Sequence, residues 1–125
     1  MSSKHQNLSK LDKDALMGAE ELCFGIVTSE WNPDICEAMR SGAKSVLAEA
    51  GIPDDQVIEI HVPGSYELTS GAALLLKSQK VHAIICLGCV IKGETRHDEY
   101  INQAVAIGLT QLSAMTGKPV IFGVL

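Results

Sequence analysis

Apolar runs alternate with amphipathic stretches along most of this chain. Four of the runs are typical of strands buried inside a sheet. The predicted strands cover residues 22–28, 57–62, 81–91 and 120–125. Because a stretch long enough for a helix separates each run from the next, the pattern favours a parallel sheet.

The three stretches between the predicted strands carry apolar residues at helical spacing. The predicted helices cover residues 32–51, 66–78 and 95–117. Asn32 followed by Pro33 is typical of a helix start, and Thr95 with Asp98 three positions later resembles a capped start. Gly117, with a proline shortly after it, predicts the end of the third helix.

This alternation predicts an α/β fold with right-handed crossovers. We expect a three-layer, flavodoxin-like sandwich whose four-stranded parallel sheet has the order 2-1-3-4. In that order the first and third strands are neighbours whose chains leave in opposite directions, so a ligand crevice opens at their carboxyl ends. The loops beside it are residues 29–32 and 93–96, which predicts that Trp31 faces His97.

The chain divides into an N-terminal arm, residues 1–21, and one α/β domain, residues 22–125. The arm is polar, and we expect it to be loose or docked on a neighbouring subunit. One predicted helix covers one face of the sheet and two cover the other, so one face is half bare. We therefore expect a C-terminal helical part beyond residue 125, or a partner, to cover that face.

Composition argues against several classes of protein. The chain has 10 Lys and Arg against 15 Asp and Glu, scattered rather than clustered, and this disfavours nucleic-acid binding. The apolar runs are shorter than a membrane span and the start lacks a secretory signal, so we expect a cytoplasmic protein without a membrane partner. Cys23, Cys36, Cys86 and Cys89 lie mostly in apolar stretches, which predicts reduced packing residues rather than metal ligands.

The junction between the third strand and the third helix carries the candidate chemistry. Glu94 and Thr95 follow a glycine, so backbone N–H groups and a hydroxyl at a helix start predict a phosphate-monoester site, although an ordinary helix cap also fits. His97 stands beside them, and an imidazole exchanges protons near neutral pH. It is the candidate acid/base group, or else an exposed histidine without a catalytic role.

Two further groups of candidate site residues lie at the same carboxyl edge of the predicted sheet. Trp31 is the only tryptophan, and its indole either stacks on a flat heterocycle or packs on the helix that follows. Ser65, Tyr66 and Glu67 follow the second strand. Glu67 offers its carboxylate either to a polyol or to the start of the second helix.

Four blocks of the sequence together resemble the lumazine synthase family. In chain order they are residues 29–32, 62–67, 88–97 and 119–125. The third block is the most specific, with a Gly-x-Val-Ile-Lys-Gly-Glu-Thr-x-His run that ends at His97. The resemblance extends from Phe24 to Leu125.

The resemblance implies condensation of 5-amino-6-(D-ribitylamino)uracil with 3,4-dihydroxy-2-butanone 4-phosphate, without a cofactor or a metal. The products are 6,7-dimethyl-8-ribityllumazine, phosphate and water, in the penultimate step of riboflavin biosynthesis. By position, His97 is the implied acid/base catalyst, and Glu94 and Thr95 are the implied phosphate ligands. The implied substrate-binding residues are Trp31, Asn32, Ser65, Tyr66, Glu67, Cys89, Val90, Ile91 and Phe122.

The resemblance also implies a homo-oligomer, as a pentamer, a pair of pentamers or an icosahedral shell, with riboflavin synthase as a partner. Its active sites lie between subunits, and the neighbour supplies the residue that matches Phe122. The family's phosphate-binding arginine and a lysine lie beyond the position of residue 125. Trp31 stands where phenylalanine is commoner.

Two alternatives stay open. An archaeal-type riboflavin synthase has the same expected fold and dismutates two lumazines, but a loop suited to a phosphorylated substrate argues against it. A flavin- or nucleotide-binding module without catalytic activity would use the same crevice, with His97 incidental. A turnover assay separates the enzymes from the binding module.

Overall fold

The computed structural model of the protein describes residues 10–125, in which four strands form one parallel sheet with helices on both faces. The strands are β1 (Phe24–Ser29), β2 (Val57–Val62), β3 (Ala83–Gly88) and β4 (Val120–Val124). The helices are α1 (Pro33–Glu49), α2 (Leu68–Ser78) and α3 (His97–Thr116). Short 3-10 turns cover Lys13–Leu16, Ala19–Glu21, Asp54–Gln56 and Ser65–Glu67.

The strand order is β2-β1-β3-β4, which confirms the predicted topology. β1 pairs in parallel with β2 and with β3, and the register places Ser29 beside Val62 and Thr28 beside Leu87. The carboxyl ends of these three strands therefore meet at one edge of the sheet. Since α1 packs on one face and α3 on the other, the loops after β1 and β3 part at this edge and leave a crevice.

The larger apolar core lies between the sheet and the helices α2 and α3. Side chains from all four strands contribute to it, with Leu68, Leu75 and Leu109 from the helices. α2 approaches the sheet closely at Gly71, where a Cβ atom would lie 2.8 Å from Val27 Cγ1. The small residues of α2 therefore fit its position directly over the strands.

The second core lies between the sheet and α1, which packs on β1 and β3. Its buried centre consists of Ile26, Leu47, Ile52 and Leu87. Toward β4 the same face is less covered, because Ile121, which pairs with Ile85 of this core, is 50% exposed. The half-bare area predicted from the topology thus lies at β4.

The start of β1 and the end of β3 differ from the predicted boundaries. β1 begins at Phe24 rather than at residue 22, and the Cys23 N–H donates to the side-chain Nδ1 of His82 at 2.9 Å instead of joining the strand ladder. β3 ends at Gly88 rather than at residue 91. Beyond it, the Val90 N–H donates to Leu125 O at 2.8 Å, so the chain turns toward β4.

The helix starts also differ from the predictions. The first turn predicted for α2 is a 3-10 turn, and the α-helix begins at Leu68. α3 begins at His97, with Arg96 rather than Thr95 as its N-cap. Within the described part of the chain, no helix has both the length and the apolar character needed to cross a membrane.

The N-terminal arm is described from Lys10 onward, and the predictions for residues 1–9 lie outside the described residues. Ala19 packs against the core under α1. The Gln56 side-chain amide donates to the carbonyls of Glu20 and Leu22, at 2.9 and 2.7 Å. The last part of the arm is therefore attached to its own domain.

Candidate active site

A cavity of about 520 Å³ opens in the crevice at the carboxyl edge of the sheet. Its walls are the chain segments that follow β1, β2 and β3, together with the start of α3. The lining residues are Trp31, Asn32, Gly64, Ser65, Tyr66, Glu67, Cys89, Val90, Ile91, His97 and Ile101. Trp31 and His97 therefore line the same cavity, which confirms the predicted juxtaposition.

The wall after β1 presents Trp31 to the cavity. Its side chain is 68% exposed, which disfavours the alternative in which the indole is buried against α1. The backbone that carries it is fixed, because Trp31 O accepts a hydrogen bond from Cys36 Sγ at 3.3 Å and the Glu30 N–H donates to Val62 O at 2.8 Å. The indole is thus held at the crevice by a rigid support.

Asn32 joins the two sides of the crevice. It precedes α1 as predicted, but its side chain makes no capping hydrogen bond. Instead, Asn32 Nδ2 donates to Cys89 O at 3.0 Å, across from the loop after β1 to the end of β3. Its φ of 58° is left-handed, a conformation that asparagine tolerates better than most residues. Asn32 therefore sets the distance between the two loops.

The wall after β2 contains a buried hydroxyl without a partner. Ser65 is only 6% exposed, and its Oγ has no hydrogen-bond partner among residues 10–125. A buried hydroxyl is costly unless a ligand or water pairs with it. The neighbouring Glu67 accepts the Gly64 N–H through Oε2 at 3.0 Å, so its carboxylate caps this turn and also lines the cavity.

The wall after β3 consists of Cys89, Val90 and Ile91. The family resemblance implies that these three residues bind the substrate. Two of its main-chain groups already have protein partners, because Cys89 O accepts from Asn32 and the Val90 N–H donates to Leu125 O. A ligand that used the Val90 N–H would therefore displace an existing hydrogen bond.

The residue that caps α3 is not the predicted one, and the predicted cap residue contacts the His97 imidazole instead. Arg96 is the N-cap and makes no side-chain capping bond, so the predicted cap at Thr95 is wrong. The Thr95 Oγ1 atom lies 2.6 Å from His97 Nδ1 and 3.5 Å from His97 N. The hydroxyl expected to cap the helix is thus engaged with the imidazole ring.

The predicted phosphate loop lies beside the cavity rather than in its lining. Glu94 and Thr95 are both exposed, and neither is a lining residue. The loop nevertheless adjoins the imidazole, because a Cβ atom on Gly93 would lie 3.8 Å from His97 Cε1. An anion held by this loop would therefore lie next to His97.

Phe122 lies away from the cavity of its own chain. It belongs to β4, where it pairs with Cys86, and it is 44% exposed. β4 is an edge strand and is separated from β1 by β3. Among the predicted substrate-binding residues, Phe122 is the one that this cavity does not contain.

Two lining residues, Gly64 and Ile101, are not among the predicted site residues. Ile101 lies one helical turn after His97 on the same side of α3, so helical spacing was the available signal. Gly64 lies under the indole, where a Cβ atom would be 3.2 Å from Trp31 Cδ1. The glycine before Ser65 was a signal for this close approach.

A charged cluster lies outside the cavity, where α1 crosses β2. Arg40 contacts Glu59 at 2.7 Å and Glu37 at 3.0 Å, and Lys44 contacts Glu59 at 2.9 Å. Burial by itself raises the pKa of Glu59, but hydrogen bonds from Lys44 and Arg40 outweigh it and leave that pKa below its ordinary value. The Glu37 carboxylate accepts hydrogen bonds from Arg40 and His61, and these lower its pKa.

The four cysteines are free thiols, as predicted. Burial raises the pKa of the Cys86 thiol to about 12, so this side chain stays protonated at neutral pH and is a poor nucleophile. Cys36 is fully buried and contacts Ser29 Oγ at 3.6 Å. Both side chains act in packing.

Comparison with known proteins gives a consistent result. A family model described as 6,7-dimethyl-8-ribityllumazine synthase matches residues 21–125. The chain is 47% identical over its full length to the protein of that name from Cytophaga hutchinsonii, of which it covers 78%. It is 43% identical to the Flavobacterium johnsoniae protein and 42% identical to the Porphyromonas gingivalis protein, again over its full length, and covers 66% and 78% of them. The chain belongs to the 6,7-dimethyl-8-ribityllumazine synthase family.

Proposed function

We propose that this protein condenses 5-amino-6-(D-ribitylamino)uracil with 3,4-dihydroxy-2-butanone 4-phosphate to give 6,7-dimethyl-8-ribityllumazine, phosphate and water. The observation that carries the proposal is that an exposed indole and an imidazole line one cavity of about 520 Å³. A cavity of this size accommodates small-molecule ligands. The reaction supplies 6,7-dimethyl-8-ribityllumazine for riboflavin biosynthesis.

The pyrimidinedione lies against Trp31 in this proposal. The exposed indole offers a flat apolar surface, and Asn32 fixes the loop beneath it. The ribityl chain lies along the turn after β2, where the unpaired Ser65 hydroxyl and the Glu67 carboxylate supply polar contacts. A polyol that pairs with Ser65 removes the cost of its buried, unpaired hydroxyl.

The phosphate of the second substrate lies at the loop that contains Glu94 and Thr95. Its oxygens accept from backbone N–H groups at the start of α3, where the helix dipole favours an anion. This position places the butanone carbon chain between the loop and the indole. Both reacting partners are then held in one cavity, which makes a bimolecular condensation effectively intramolecular.

His97 transfers protons in this proposal. The amine on the pyrimidine ring attacks the ketone and loses a water molecule to form an imine. Phosphate is then eliminated, which generates a new carbonyl, and the ribitylamino nitrogen attacks this carbonyl and expels a further water molecule to close the ring. Each step needs a proton moved over a short distance, and His97 is the histidine among the cavity-lining residues. Positioning supplies the remainder of the rate enhancement.

We also propose that the complete site includes a second copy of the chain, arranged in a pentamer or a pentamer-based assembly. Phe122 supports this arrangement, because it is 44% exposed and does not line the cavity of its own chain. In this proposal, Phe122 of each copy completes the cavity of its neighbour. Measuring the mass of the protein in solution tests the assembly, and a monomer would contradict it.

A turnover assay with both substrates tests the catalytic proposal. We expect wild type to form the lumazine, and His97→Ala to reduce kcat by about 10²- to 10⁴-fold, the usual contribution of a general acid or base. The matched control is His61→Ala, because His61 lies on β2 and contacts Glu37 rather than the cavity. Equal rates for wild type and His97→Ala would contradict the acid/base role.

The same experiment separates an enzyme from a binding module. Trp31 is the only tryptophan, so its fluorescence reports occupancy of the cavity directly. Quenching by the pyrimidine substrate together with turnover supports the enzyme. Quenching by a flavin without any turnover would instead support a module that binds and does not react.

A further inference from the structure

The Thr95 hydroxyl lies against the imidazole that the proposed reaction uses. Its Oγ1 is 2.6 Å from His97 Nδ1, a distance typical of a strong hydrogen bond. His97 lines the cavity whereas Thr95 does not, so the hydroxyl supports the ring from outside the lining. Nε2, the other ring nitrogen, has no protein partner among residues 10–125 and is the one left for a ligand.

The hydrogen bond between Thr95 Oγ1 and His97 Nδ1 can form with either atom as the donor. The choice of donor decides whether Nε2 is an acid or a base. If the hydroxyl donates to Nδ1, the ring proton is on Nε2 and that nitrogen is an acid. If Nδ1–H donates to the hydroxyl, Nε2 is bare and is a base. In the second case, the hydroxyl hydrogen is free to donate to another acceptor. The group that accepts this hydrogen therefore selects the tautomer.

We propose that Thr95 is a positioning residue through which a bound phosphate group selects the basic form of His97. The inference rests on the proposed function for the place of the phosphate. An anion beside residues 94 and 95 accepts the Thr95 O–H, because charged acceptors form the stronger hydrogen bonds. The hydroxyl oxygen then accepts from Nδ1–H, and Nε2 is left unprotonated.

The change exchanges one ring proton for another and leaves the charge of the imidazole unaltered. The proton leaves Nε2 for solvent and another binds Nδ1, so the ring stays neutral throughout. As a consequence, the base is presented when the phosphorylated substrate is in place. Removal of the first proton by Nε2 then waits until the phosphorylated substrate is bound. This protects the amine of the pyrimidine substrate from unproductive proton exchange.

The test reads the tautomer directly by nitrogen NMR of the full chain with ¹⁵N-labelled histidine. Inorganic phosphate is the probe, at a pH of about 8.5, about two units above the ordinary histidine pKa. His97→Gln identifies the His97 signals. We expect phosphate to shift the ring proton of wild type toward Nδ1, and Thr95→Ser to behave in the same way because it keeps the hydroxyl.

Thr95→Val removes the hydroxyl at nearly constant volume and should abolish the shift. The matched control is Thr110→Val within α3, because the Thr110 hydroxyl donates to Ala106 O at 2.7 Å and the residue is exposed. His82 is an internal reference, because its Nδ1 accepts the Cys23 N–H and its tautomer should not respond to phosphate. Thr95 is exposed, so the valine variant is expected to fold.

Two outcomes would overturn the inference. One is a wild-type tautomer that does not change with phosphate, and the other is a phosphate-induced shift that persists in Thr95→Val. The proposed function fails separately, if no lumazine forms in the turnover assay. A tautomer shift without turnover would therefore support the role of Thr95 and contradict the proposed reaction. Turnover without a tautomer shift would support the reaction and contradict the role of Thr95.

Discussion

The two loops that flank the crevice differ in how firmly they are held. The loop after β1, residues 30–32, is tied to β2, to α1 and to the end of β3 by separate hydrogen bonds. The loop after β3, residues 92–96, is exposed throughout, and its Thr95 side chain contacts the adjoining helix start. The wall proposed to bind the flat heterocycle is thus preformed, whereas the wall proposed to bind the phosphate is open to solvent.

This difference has an energetic meaning. A preformed wall binds its ligand without a cost for ordering the loop, whereas an open loop is ordered at the expense of binding free energy. In the proposed reaction, the preformed wall would favour affinity for the heterocycle, and the open wall would let a bound phosphate alter the surroundings of His97. Substitutions on the two sides of the crevice should accordingly have unequal effects on stability.

The largest expected effect comes from matched glycine substitutions, one at the packed end of β3 and one in the exposed loop that follows it. In Gly88→Ala, the new Cβ would overlap Ser65 Oγ and lie 3.1 Å from Leu68 Cδ1, so we expect a loss of about 1–3 kcal/mol. In Gly93→Ala, the nearest atom would be His97 Cε1 at 3.8 Å, and we expect a change within about 0.5 kcal/mol. Urea unfolding measures both. Equal losses would show that the loop after β3 is as tightly packed as the end of the strand before it.

A smaller effect is expected from the link across the crevice. Asn32→Gly removes the hydrogen bond to Cys89 O and should cost about 1 kcal/mol. Asn32→Ala also places a Cβ residue in a left-handed conformation without the polar side chain, which adds about 1 kcal/mol. Thermal unfolding of the two variants separates the hydrogen bond from the backbone. Wild-type stability in both would show that Asn32 does not fasten the loop.

The smallest effect concerns the charged cluster that ties α1, and with it the rigid loop, to β2. The pKa of Glu59 is lowered in the folded protein, so its contribution is present above the ordinary pKa of 4.5 and is lost as pH falls through the lower folded value. Glu59→Gln should remove this contribution, below about 1 kcal/mol because the pair is partly solvated. Acid unfolding curves test it.

The control for that experiment is Glu49→Gln, which neutralises a carboxylate at the end of the same helix but outside the cluster. We expect it to keep the acid dependence of wild type. If Glu59→Gln and wild type lost stability in parallel below pH 4.5, the cluster would not contribute to fastening α1.

Much of the fold and of the site was predictable because local patterns constrain both. Apolar runs and helical spacing fixed the alternation of elements, and right-handed crossovers then allowed few strand orders. Since the loops after β1 and β3 meet in the chosen order, Trp31 and His97 were expected in one crevice, and both line it. The boundaries of β3 and α3 were missed because they depend on contacts with Leu125 and with a side chain two residues away.

The sequence by itself determined the alternation of strands and helices, because this follows from periodicity along the chain. With the rule of right-handed crossovers, the alternation also predicted the strand order and the residues brought to the carboxyl edge. Only the tertiary structure decided that Asn32 reaches Cys89 O, that the Thr95 hydroxyl contacts His97 and that Phe122 lies outside its own cavity. These outcomes depend on distances between groups whose directions no local pattern specifies. A hydrogen bond needs its donor and acceptor within about 3 Å, and only the packed fold sets that separation.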